Sequence, residues 1–343
     1  MALSFRLKDI MANPSVISLP QGVRDILPEE AKKISAVEDA VLSVFGRYGF
    51  SKVITPLLEY VDALSLGMGA SLKDRVLKFI DPSTGRVVAI RPDITPQIAR
   101  VAATRMRDYG LPLRLCYNEN VLRYQEPRDG KSREVLQLGA EFISETATPE
   151  TDAEMICMAA ESLKEIGLKG FKIDIGDIGF LRIILARLDV AETERARIKE
   201  AIAIKDASGL ERILAPLGPQ VSGADRSLLL NLTTFYGEEE VIRKAASFTK
   251  DASTLACLAN LEAVAGIIAA KGYKDCVTID LGEVRGFDYY TGIIFEGFAS
   301  GIGKAILSGG RYDTLMERYG YPAAATGFAF DVENLVAALD RRF

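Results

Sequence analysis

The sequence predicts an α+β fold, in which an antiparallel sheet is flanked by helices and interrupted by a helical insertion. Residues 113–124 and 133–144 both alternate apolar and polar side chains around a loop rich in Pro, Asp, Gly and Lys, which is typical of a long antiparallel hairpin. Residues 181–275 instead repeat apolar side chains at helical spacing. The chain has 343 residues, of which 48% are hydrophobic, so it can bury a sizeable core.

The first predicted element is a helix that follows residues 21–30. Its apolar side chains recur every three or four positions, at Ile34, Val37, Val41, Phe45 and Tyr48. Glu29 and Glu30 suit the positive end of the helix dipole. A strand near residues 52–55 then reaches Pro56. On its residues alone, this region is one helix and one strand.

A second strand and helix meet at a polar corner. The apolar run at residues 87–90 predicts a strand, which leads into Arg91-Pro92-Asp93. Thr95 followed by Pro96 predicts the N-cap and first residue of a helix, so Asp93 and the Thr95 hydroxyl lie at the corner. Such a corner suits ligand contacts, and a purely structural capping role for Asp93 is the alternative.

The second strand of the hairpin carries polar groups on one face. Because side chains alternate with period two, one face holds Arg133, Val135, Gln137, Gly139 and Glu141. Gln137 and Glu141 therefore point the same way, and Gly139 leaves room between them. The pattern predicts the floor of a small-ligand site, with a solvated sheet face as the alternative.

Two late segments combine charge, phenols and glycines. They read VRGFDYYTG at residues 284–292 and SGGRYD at residues 308–313. Their arginines and phenols are Arg285, Tyr289, Tyr290, Arg311 and Tyr312. Guanidinium groups and phenols can hold a small amino acid by charge and ring contact, and glycine lets a ligand approach the backbone. The residues alone predict a polar pocket.

Composition narrows the chemistry. The chain contains no histidine, so no imidazole can act as a general base or metal ligand. Its cysteines are widely spaced and form no CxxC pair, which favours free thiols in a reducing compartment: Cys116, Cys157, Cys257 and Cys276. We therefore expect no metal site and no cofactor.

Charge and hydropathy concern the partners. The net charge of −5 and the pI near 5.2 are opposite to the basic surface that nucleic-acid binding usually needs. The most apolar stretch, residues 255–270, is interrupted by Asn260 and Glu262 and is shorter than a bilayer span, so it predicts a buried helix. No secretory signal is evident. We expect a cytoplasmic protein that binds neither nucleic acid nor membrane.

The late segments resemble the two histidine-specific signatures of histidyl-tRNA synthetases, VRGLDYYTG and GGRYD. The helix and strand that end at Pro56 are similar to motif 1 of class II aminoacyl-tRNA synthetases, which in that family builds the dimer interface. Residues 91–100 resemble the synthetases' RPEGT, with Asp93 in place of Glu. The hairpin resembles motif 2, and the matching positions are Arg123, Gly130, Arg133, Gln137 and Glu141.

The resemblance implies a domain organisation. A discontinuous class II synthetase-like domain would comprise residues 1–180 and 276–343, with residues 181–275 as a helical insertion subdomain. The chain reaches Phe343 directly after motif 3, so we expect no anticodon-binding domain.

Departures from the synthetase pattern indicate a different activity. A motif 2 glutamate that helps hold ATP in the synthetases is Gln125 here. In motif 3, Asn334 replaces the arginine that binds the ATP phosphates, and Asp331 replaces a glycine. Transfer chemistry at a triphosphate depends on positive charge, so adenylation is predicted to be lost and no residue is predicted to be catalytic.

A family that keeps the histidine pocket without the ATP arginine is the regulatory subunit of ATP phosphoribosyltransferase. The resemblance implies a non-catalytic partner of the short-form catalytic subunit, in the first step of histidine biosynthesis. It also implies activation of that subunit, feedback inhibition by histidine, and a dimer within a hetero-oligomer, a hetero-octamer by resemblance. The alternatives are a histidyl-tRNA synthetase-like adenylating enzyme and a tRNA-sensing module.

The resemblance assigns roles in a histidine pocket, and the chemistry of histidine agrees with them. Its ammonium group needs acceptors, which Asp93, Thr95 and Gln137 supply, and its carboxylate needs Arg123 or Arg285. Its imidazole N–H needs an acceptor such as Glu141. The phenols complete the predicted set: Tyr289, Tyr290 and Tyr312. Whether effector histidine uses this pocket or a subunit interface is open at this stage.

Overall fold

The computed structural model describes residues 18–68, 76–124, 132–284, 286 and 289–340. Its helices are α1 (Pro28–Arg47), α2 (Val61–Gly67), α3 (Thr95–Thr104), α4 (Pro149–Glu165), α5 (Ile178–Ala186), α6 (Glu192–Ala203), α7 (Ala207–Leu214), α8 (Gly223–Leu232), α9 (Glu240–Ala246), α10 (Ala252–Ala270), α11 (Asp313–Arg318) and α12 (Val332–Asp340). Its strands are β1 (Ser51–Lys52), β2 (Leu58–Tyr60), β3 (Lys78–Ile80), β4 (Val87–Ile90), β5 (Leu113–Leu122), β6 (Glu134–Ser144), β7 (Lys172–Asp177), β8 (Tyr236–Gly237), β9 (Val277–Asp280), β10 (Ile293–Phe298), β11 (Leu307–Arg311) and β12 (Ala324–Asp331).

One large sheet organises the described part of the chain. Its nine strands follow the order β1-β5-β6-β12-β11-β10-β7-β9-β8. Neighbouring strands are antiparallel except at β1–β5 and β7–β9, so the sheet is mixed near its two edges. The predicted hairpin is present as β5 and β6, and helices flank the sheet. The predicted α+β fold is confirmed.

The main core lies where α1, α4, α10 and α12 pack on the sheet. The apolar positions predicted for α1 face this core, since Ile34, Val37, Val41 and Phe45 are buried. The Phe45 ring meets Phe328 of β12 edge to face, with centroids 5.8 Å apart. The helical periodicity of α1 therefore predicted its buried face correctly.

A second, smaller core holds α3 and α11 against β5, β6 and β12. It contains the fully buried phenols Tyr117 and Tyr312 beside Ile94 and Ile98 of the α3 segment. Because it packs two tyrosines, this core brings hydroxyl groups into an apolar setting. It also fixes the start of α3 next to β6.

A separate three-stranded sheet, in the order β2-β4-β3, packs on α2. Leu58 and Tyr60 of β2 pair with Ile90 and Val88 of β4, and Val88 pairs with Phe79 of β3. Paired residues share one side of a sheet. Leu58 and Phe79 on this side are each 44% exposed.

The region predicted as a helical insertion consists mainly of helices, α5 to α10. It also contains β8, which pairs with β9 and so joins the large sheet. Lys205 after α6 donates to Asp280 Oδ1 at 2.6 Å, which ties this region to β9. Division of the chain at residues 181 and 275 stays a prediction.

Helix α10 is, by length and composition, long and apolar enough to cross a membrane. Soluble core helices pass the same test. One side of α10 is buried in the main core through Leu258, Leu261, Val264 and Ile268, and 33% of its most apolar window is buried. The prediction of a buried helix therefore holds for one face.

A candidate amino-acid pocket

The predicted site residues lie together, although they come from distant parts of the sequence. A cavity of about 80 Å³ is lined by Asp93, Thr95, Arg123, Gln137, Glu141, Tyr289, Tyr290 and Tyr312. Ser308, Gly327, Phe328 and Ala329 complete the lining. Arg285, Gln125 and Gly130 lie outside the described residues. The cavity is far smaller than the roughly 300–1,000 Å³ of pockets for drug-sized ligands, so it suits a small ligand.

Glu141 of β6 is the centre of the pocket. Its carboxylate accepts hydrogen bonds from the hydroxyls of Thr95 at 2.7 Å, Tyr117 at 3.2 Å and Tyr312 at 2.5 Å. Its exposed fraction is 1%, and this burial raises its pKa to about 8. Nearby Asp93 also raises the pKa, while the hydroxyl donors lower it. In its ionised form the carboxylate offers about four acceptor positions, so the three hydroxyl donors leave room for one ligand donor.

Two glycines make space for this arrangement. A Cβ at Gly327, which pairs with Glu141 across the strands, would lie 1.6 Å from Glu141 Oε2. A Cβ at Gly139 would lie 2.5 Å from the ring and hydroxyl of Tyr117. Gly139 was expected to leave room between Gln137 and Glu141, and the Tyr117 side chain occupies the space that a Cβ at Gly139 would take. Gln137 and Glu141 do line the same cavity, as the alternation predicted.

Two buried polar atoms in the pocket lack a bonding partner among the described residues. They are Oε1 of Gln137 and the hydroxyl of Tyr289. Gln137 is only 7% exposed. An unsatisfied buried polar group costs about 1–3 kcal/mol, so both atoms favour a ligand that can bond to them.

The corner at the start of α3 differs in one detail from the prediction. Thr95 is the first helical residue, and no side chain caps this helix. The Thr95 hydroxyl bonds to Glu141 instead of the helix backbone. Asp93 accepts a bond from the Ile94 amide at 3.0 Å. The bond to Glu141 on β6 replaces the capping bond that the sequence predicted. Thr95 therefore faces the pocket because of this tertiary contact and not because it caps the helix.

Arg123 supplies positive charge at one side of the pocket. Its Nε donates to the Pro92 carbonyl at 2.7 Å, and its Nη2 lies 3.7 Å from Asp93 Oδ1. The side chains of Arg123 and Asp93 are 28% and 23% exposed. The cation and anion therefore stand side by side at the pocket, as the two ends of a zwitterion require.

Three phenol rings in mutual contact form another wall, with Tyr289 edge to face with Tyr290 and tilted against Tyr312. The Tyr289 ring lies 5.1 Å from the ring of Tyr290 and 5.6 Å from that of Tyr312, centroid to centroid. Gly286 adopts φ +65°, and a Cβ there would lie 2.5 Å from the Tyr290 ring. Burial raises the pKa of Tyr289 and of Tyr312 well above the ordinary value. These phenols stay neutral and can donate or accept hydrogen bonds.

Arg311 does not line this pocket, contrary to its expected role in ligand binding. Its Nη2 donates to Asp152 Oδ1 at 2.8 Å, and its Nε donates to Asp152 Oδ2 at 3.1 Å. Both side chains are almost fully buried, at 6% and 2% exposure. Arg311 therefore ties β11 to α4. From this segment, Ser308 and Tyr312 line the pocket.

The motif 3 residues have structural bonds. The Asn334 amide N–H donates to Asp331 Oδ1 at 3.0 Å, which makes Asp331 a cap at the start of α12. The Asn334 side-chain amide donates to the Ala305 carbonyl at 3.1 Å. Burial raises the pKa of Asp331. Neither side chain offers positive charge to a phosphate.

A larger cavity, of about 760 Å³, lies near the β8 edge of the sheet. None of the predicted site residues lines it. Its rim carries both signs of charge, from Lys172, Lys274, Glu238, Glu239 and Asp275. This mixture of charges does not favour one class of ligand, so the smaller pocket is the better functional candidate.

Comparisons with known proteins identify the family of this chain. The family model described as histidyl-tRNA synthetase matches residues 22–335. An ATP phosphoribosyltransferase regulatory subunit from Geobacter sulfurreducens is 46% identical over 96% of this chain and 74% of its own length. One from Moorella thermoacetica is 39% identical over 96% of this chain and 83% of its own. The chain belongs to the ATP phosphoribosyltransferase regulatory subunits, within the histidyl-tRNA synthetase family.

Solved structures give the same fold. A protein from Bacillus halodurans, described as an ATP phosphoribosyltransferase regulatory subunit/histidyl-tRNA synthetase, aligns with a TM-score of 0.88 at 32% identity. The alignment covers 96% of this chain and 84% of that one. Histidyl-tRNA synthetase from Nostoc aligns with a TM-score of 0.78 at 22% identity, over 95% and 75% of the two chains, which shows the shared fold. Membership of this family confirms the prediction that the chain is a regulatory subunit and not the catalytic one.

Among the pocket residues that were not predicted from the sequence, Tyr117 and Gly327 determine its shape through close contacts. Tyr117 lies on β5 opposite Gly139, and Gly327 lies on β12 opposite Glu141. The hairpin register would have placed Tyr117 beside Gly139, since both strands were predicted. For Gly327, the GFA run that resembles motif 3 was the available signal, but its partner strand could not be read from local pattern.

Proposed function

We propose that this regulatory subunit binds histidine in the pocket around Glu141 and conveys its presence to a short-form ATP phosphoribosyltransferase catalytic subunit. Without histidine the subunit activates its partner, and with histidine the complex is inhibited. The observation that carries the proposal is the unused bonding capacity of Gln137 Oε1 and the Tyr289 hydroxyl, in a pocket that also holds adjacent positive and negative charge.

Histidine fits the chemistry of the pocket. Its carboxylate would bind Arg123, and its ammonium group would donate to Asp93, to Gln137 Oε1 and to Thr95, whose hydroxyl oxygen can still accept. The imidazole N–H would take the remaining acceptor position on Glu141. Tyr290 and Tyr312 would flank the ring. Arg285 is the alternative partner for the carboxylate, by resemblance.

The subunit is proposed to enter the complex as a dimer, within a hetero-octamer by resemblance. Its motif 1-like region exposes large apolar side chains, with exposed fractions of 77% for Ile54, 51% for Leu57 and 44% for Leu58. Contiguous exposed apolar surface commonly marks an interface, and symmetric dimers are the commonest soluble assembly. A second copy of this chain is therefore the proposed partner of this surface, and the cytoplasm is the proposed location.

The test combines size-exclusion chromatography with a steady-state transferase assay, each with and without histidine. The chain and a short-form catalytic subunit should co-elute, turn over faster than the catalytic subunit alone, and be inhibited by histidine. Two independent peaks at micromolar concentrations, with an unchanged rate, would reject the regulatory function.

The Glu141→Ala variant asks where effector histidine binds. If the pocket is the effector site, this variant should still associate and activate, but histidine should inhibit the complex only at much higher concentration. Unchanged inhibition by histidine would move the effector site to a subunit interface.

A further inference from the structure

The first turns of α3 face the pocket on one side and a second surface on the other. On the pocket side, the Thr95 hydroxyl donates to Glu141 at 2.7 Å. Gln97, two positions later, is fully buried and bonds away from the pocket. A single helical turn therefore connects the two regions.

Gln97 holds the segment between β1 and β2. Its amide nitrogen donates to the Pro56 carbonyl at 2.8 Å and to Glu59 Oε2 at 2.7 Å. Its amide oxygen accepts from the Thr55 hydroxyl at 2.8 Å. Thr55 is only 5% exposed, so water cannot replace these bonds easily. The position of Gln97 thus determines the position of residues 55–59.

Arg91 holds the same segment from the other side of Asp93. Its Nη1 donates to the Thr55 carbonyl at 2.9 Å and to the Thr55 hydroxyl at 3.1 Å. Its backbone N–H donates to the Leu57 carbonyl at 3.1 Å. The guanidinium is also paired with Glu119 at 2.6 Å and is 4% exposed. Residues on both sides of Asp93 and Thr95 are therefore bonded to one segment.

That segment turns its apolar side chains to the surface. Its backbone and Thr55 are held inward, while Ile54, Leu57 and Leu58 are exposed. A small shift of residues 91–97 would move these side chains, because the buried network leaves few alternative partners. The pocket and the exposed surface thus share one structural element.

We propose that a ligand in the pocket strengthens the association of two copies of this chain through residues 91–97. The proposal rests on the proposed histidine site and on the proposed dimer surface. A ligand held between Asp93, Thr95 and Glu141 restricts the start of α3. Gln97 and Arg91 then fix the backbone of residues 55–59 in the form that the second copy contacts. Because a dimer of this chain holds two such pockets, linkage requires the dimer dissociation constant to change by the square of the factor by which dimer formation strengthens ligand binding at each pocket.

The experiment measures both sides of this linkage on the full chain. Sedimentation at a series of dilutions gives the dimer dissociation constant with and without saturating histidine. Calorimetry gives the histidine affinity at protein concentrations below and above that constant. We expect histidine to lower the dimer dissociation constant by about five-fold or more, the lower end of typical allosteric coupling. The histidine affinity of each pocket should then be higher in the dimer than in the monomer by the square root of that factor, because the dimer has two pockets.

Thr55→Val should weaken the coupling of the two sites, because it removes the bonds of the Thr55 hydroxyl to Gln97 Oε1 and Arg91 Nη1 at nearly constant shape. The bond from Arg91 Nη1 to the Thr55 carbonyl remains. At concentrations where both are monomeric, Thr55→Val and the wild-type chain should bind histidine with the same affinity. Histidine should change the dimer dissociation constant less in Thr55→Val than in the wild-type chain. Thr104→Val is the matched control, since its exposed hydroxyl bonds only within α3, to the Arg100 carbonyl at 2.7 Å. That control should keep the full linkage.

The wild-type linkage decides the proposal even if Thr55→Val does not fold. If histidine binds but the dimer constant stays unchanged or rises, the coupling is wrong and the histidine site stands. A chain that stays monomeric with and without histidine also overturns it. If histidine does not bind at all, the proposed ligand of the pocket fails first.

Discussion

The pocket around Glu141 and the neighbouring stretch around Asp331 use polar side chains in opposite ways. Asp331 pairs with Gln137 across two adjacent strands, so the two regions are direct neighbours. In the pocket, Gln137 Oε1 and the Tyr289 hydroxyl lack partners among the described residues. In the motif 3 stretch, Asp331 accepts from the Asn334 amide, and the Asn334 side chain bonds to the Ala305 carbonyl.

The difference distinguishes a site whose polar groups remain available to a ligand from a stretch whose polar groups are bonded within the protein. Polar groups with unused bonding capacity are costly in a protein interior, and a ligand can offset that cost. Polar groups bonded to their own backbone stabilise a helix start and offer nothing to a triphosphate. On the proposed function, the pocket around Glu141 holds an amino acid, while Asp331 and Asn334 of the motif 3 stretch hold the start of α12 and its neighbouring loop.

The largest expected effect is the absence of a reaction. The purified chain should show no histidine-dependent exchange of pyrophosphate into ATP, because Asp331 and Asn334 provide no cation for the phosphates. Isotope exchange measures this directly. Exchange clearly above that of a metal-free control would break the contrast between the two regions.

Gly327→Ala should weaken histidine binding by about 1.5–3 kcal/mol, the range for a hydrogen bond to a charged group. The added Cβ would lie 1.6 Å from Glu141 Oε2, so the carboxylate must move. Glu141→Ala should have a similar effect. Gly303→Ala is the control, since nothing lies within 4 Å of its added Cβ. Calorimetry on folded protein checks this, and wild-type affinity in Gly327→Ala would show the pocket assignment to be wrong.

Glu141 should make the empty protein less stable as pH rises. Its pKa is raised from 4.5 to about 8, so its contribution to stability is fully present below about pH 4.5 and is lost as pH rises through about 8. Within that window this group should lower the free energy of unfolding by up to about 1.4 kcal/mol per pH unit.

Urea denaturation at a series of pH values measures this slope. Glu141→Gln has no charge to lose and should show a flatter profile. Asp177, whose pKa burial raises to about 6, titrates in both proteins and is cancelled by the comparison. Parallel profiles for the two proteins would contradict the burial of a titrating Glu141.

Asp331→Ala should cost about 1 kcal/mol of stability, the usual effect of losing a helix cap, and leave histidine affinity unchanged. Thermal or urea unfolding and calorimetry measure the two quantities. Loss of histidine binding without loss of stability would mean that Asp331 belongs to the pocket and not to α12.

Local patterns predicted much of the fold and fewer of the contacts. The hairpin was predicted at residues 113–124 and 133–144 and observed at Leu113–Leu122 and Glu134–Ser144, because alternation is a local signal. Thr95 was predicted as a helix cap, but its hydroxyl bonds to Glu141 on a distant strand. Arg311 was grouped with ligand residues, but Asp152 neutralises it in the interior.

Pairing between distant strands explains the remaining errors. The role of Gly139 depends on Tyr117, which lies opposite on the neighbouring strand, and the need for Gly327 depends on its pairing with Glu141. Neither requirement can be read from the spacing within one segment. The family resemblance assigned these residues to one pocket. The register between the strands explains how their side chains pack around it.

Calorimetric titration of the purified chain with histidine directly tests the proposal that the pocket around Glu141 binds histidine. We expect saturable binding with one histidine per chain, which Glu141→Ala weakens and Gly303→Ala leaves unchanged. The chain should give no comparable heat with alanine, which lacks the imidazole that Glu141 accepts from. Absence of histidine binding, or binding that Glu141→Ala leaves intact, would show that the pocket around Glu141 is not a histidine site.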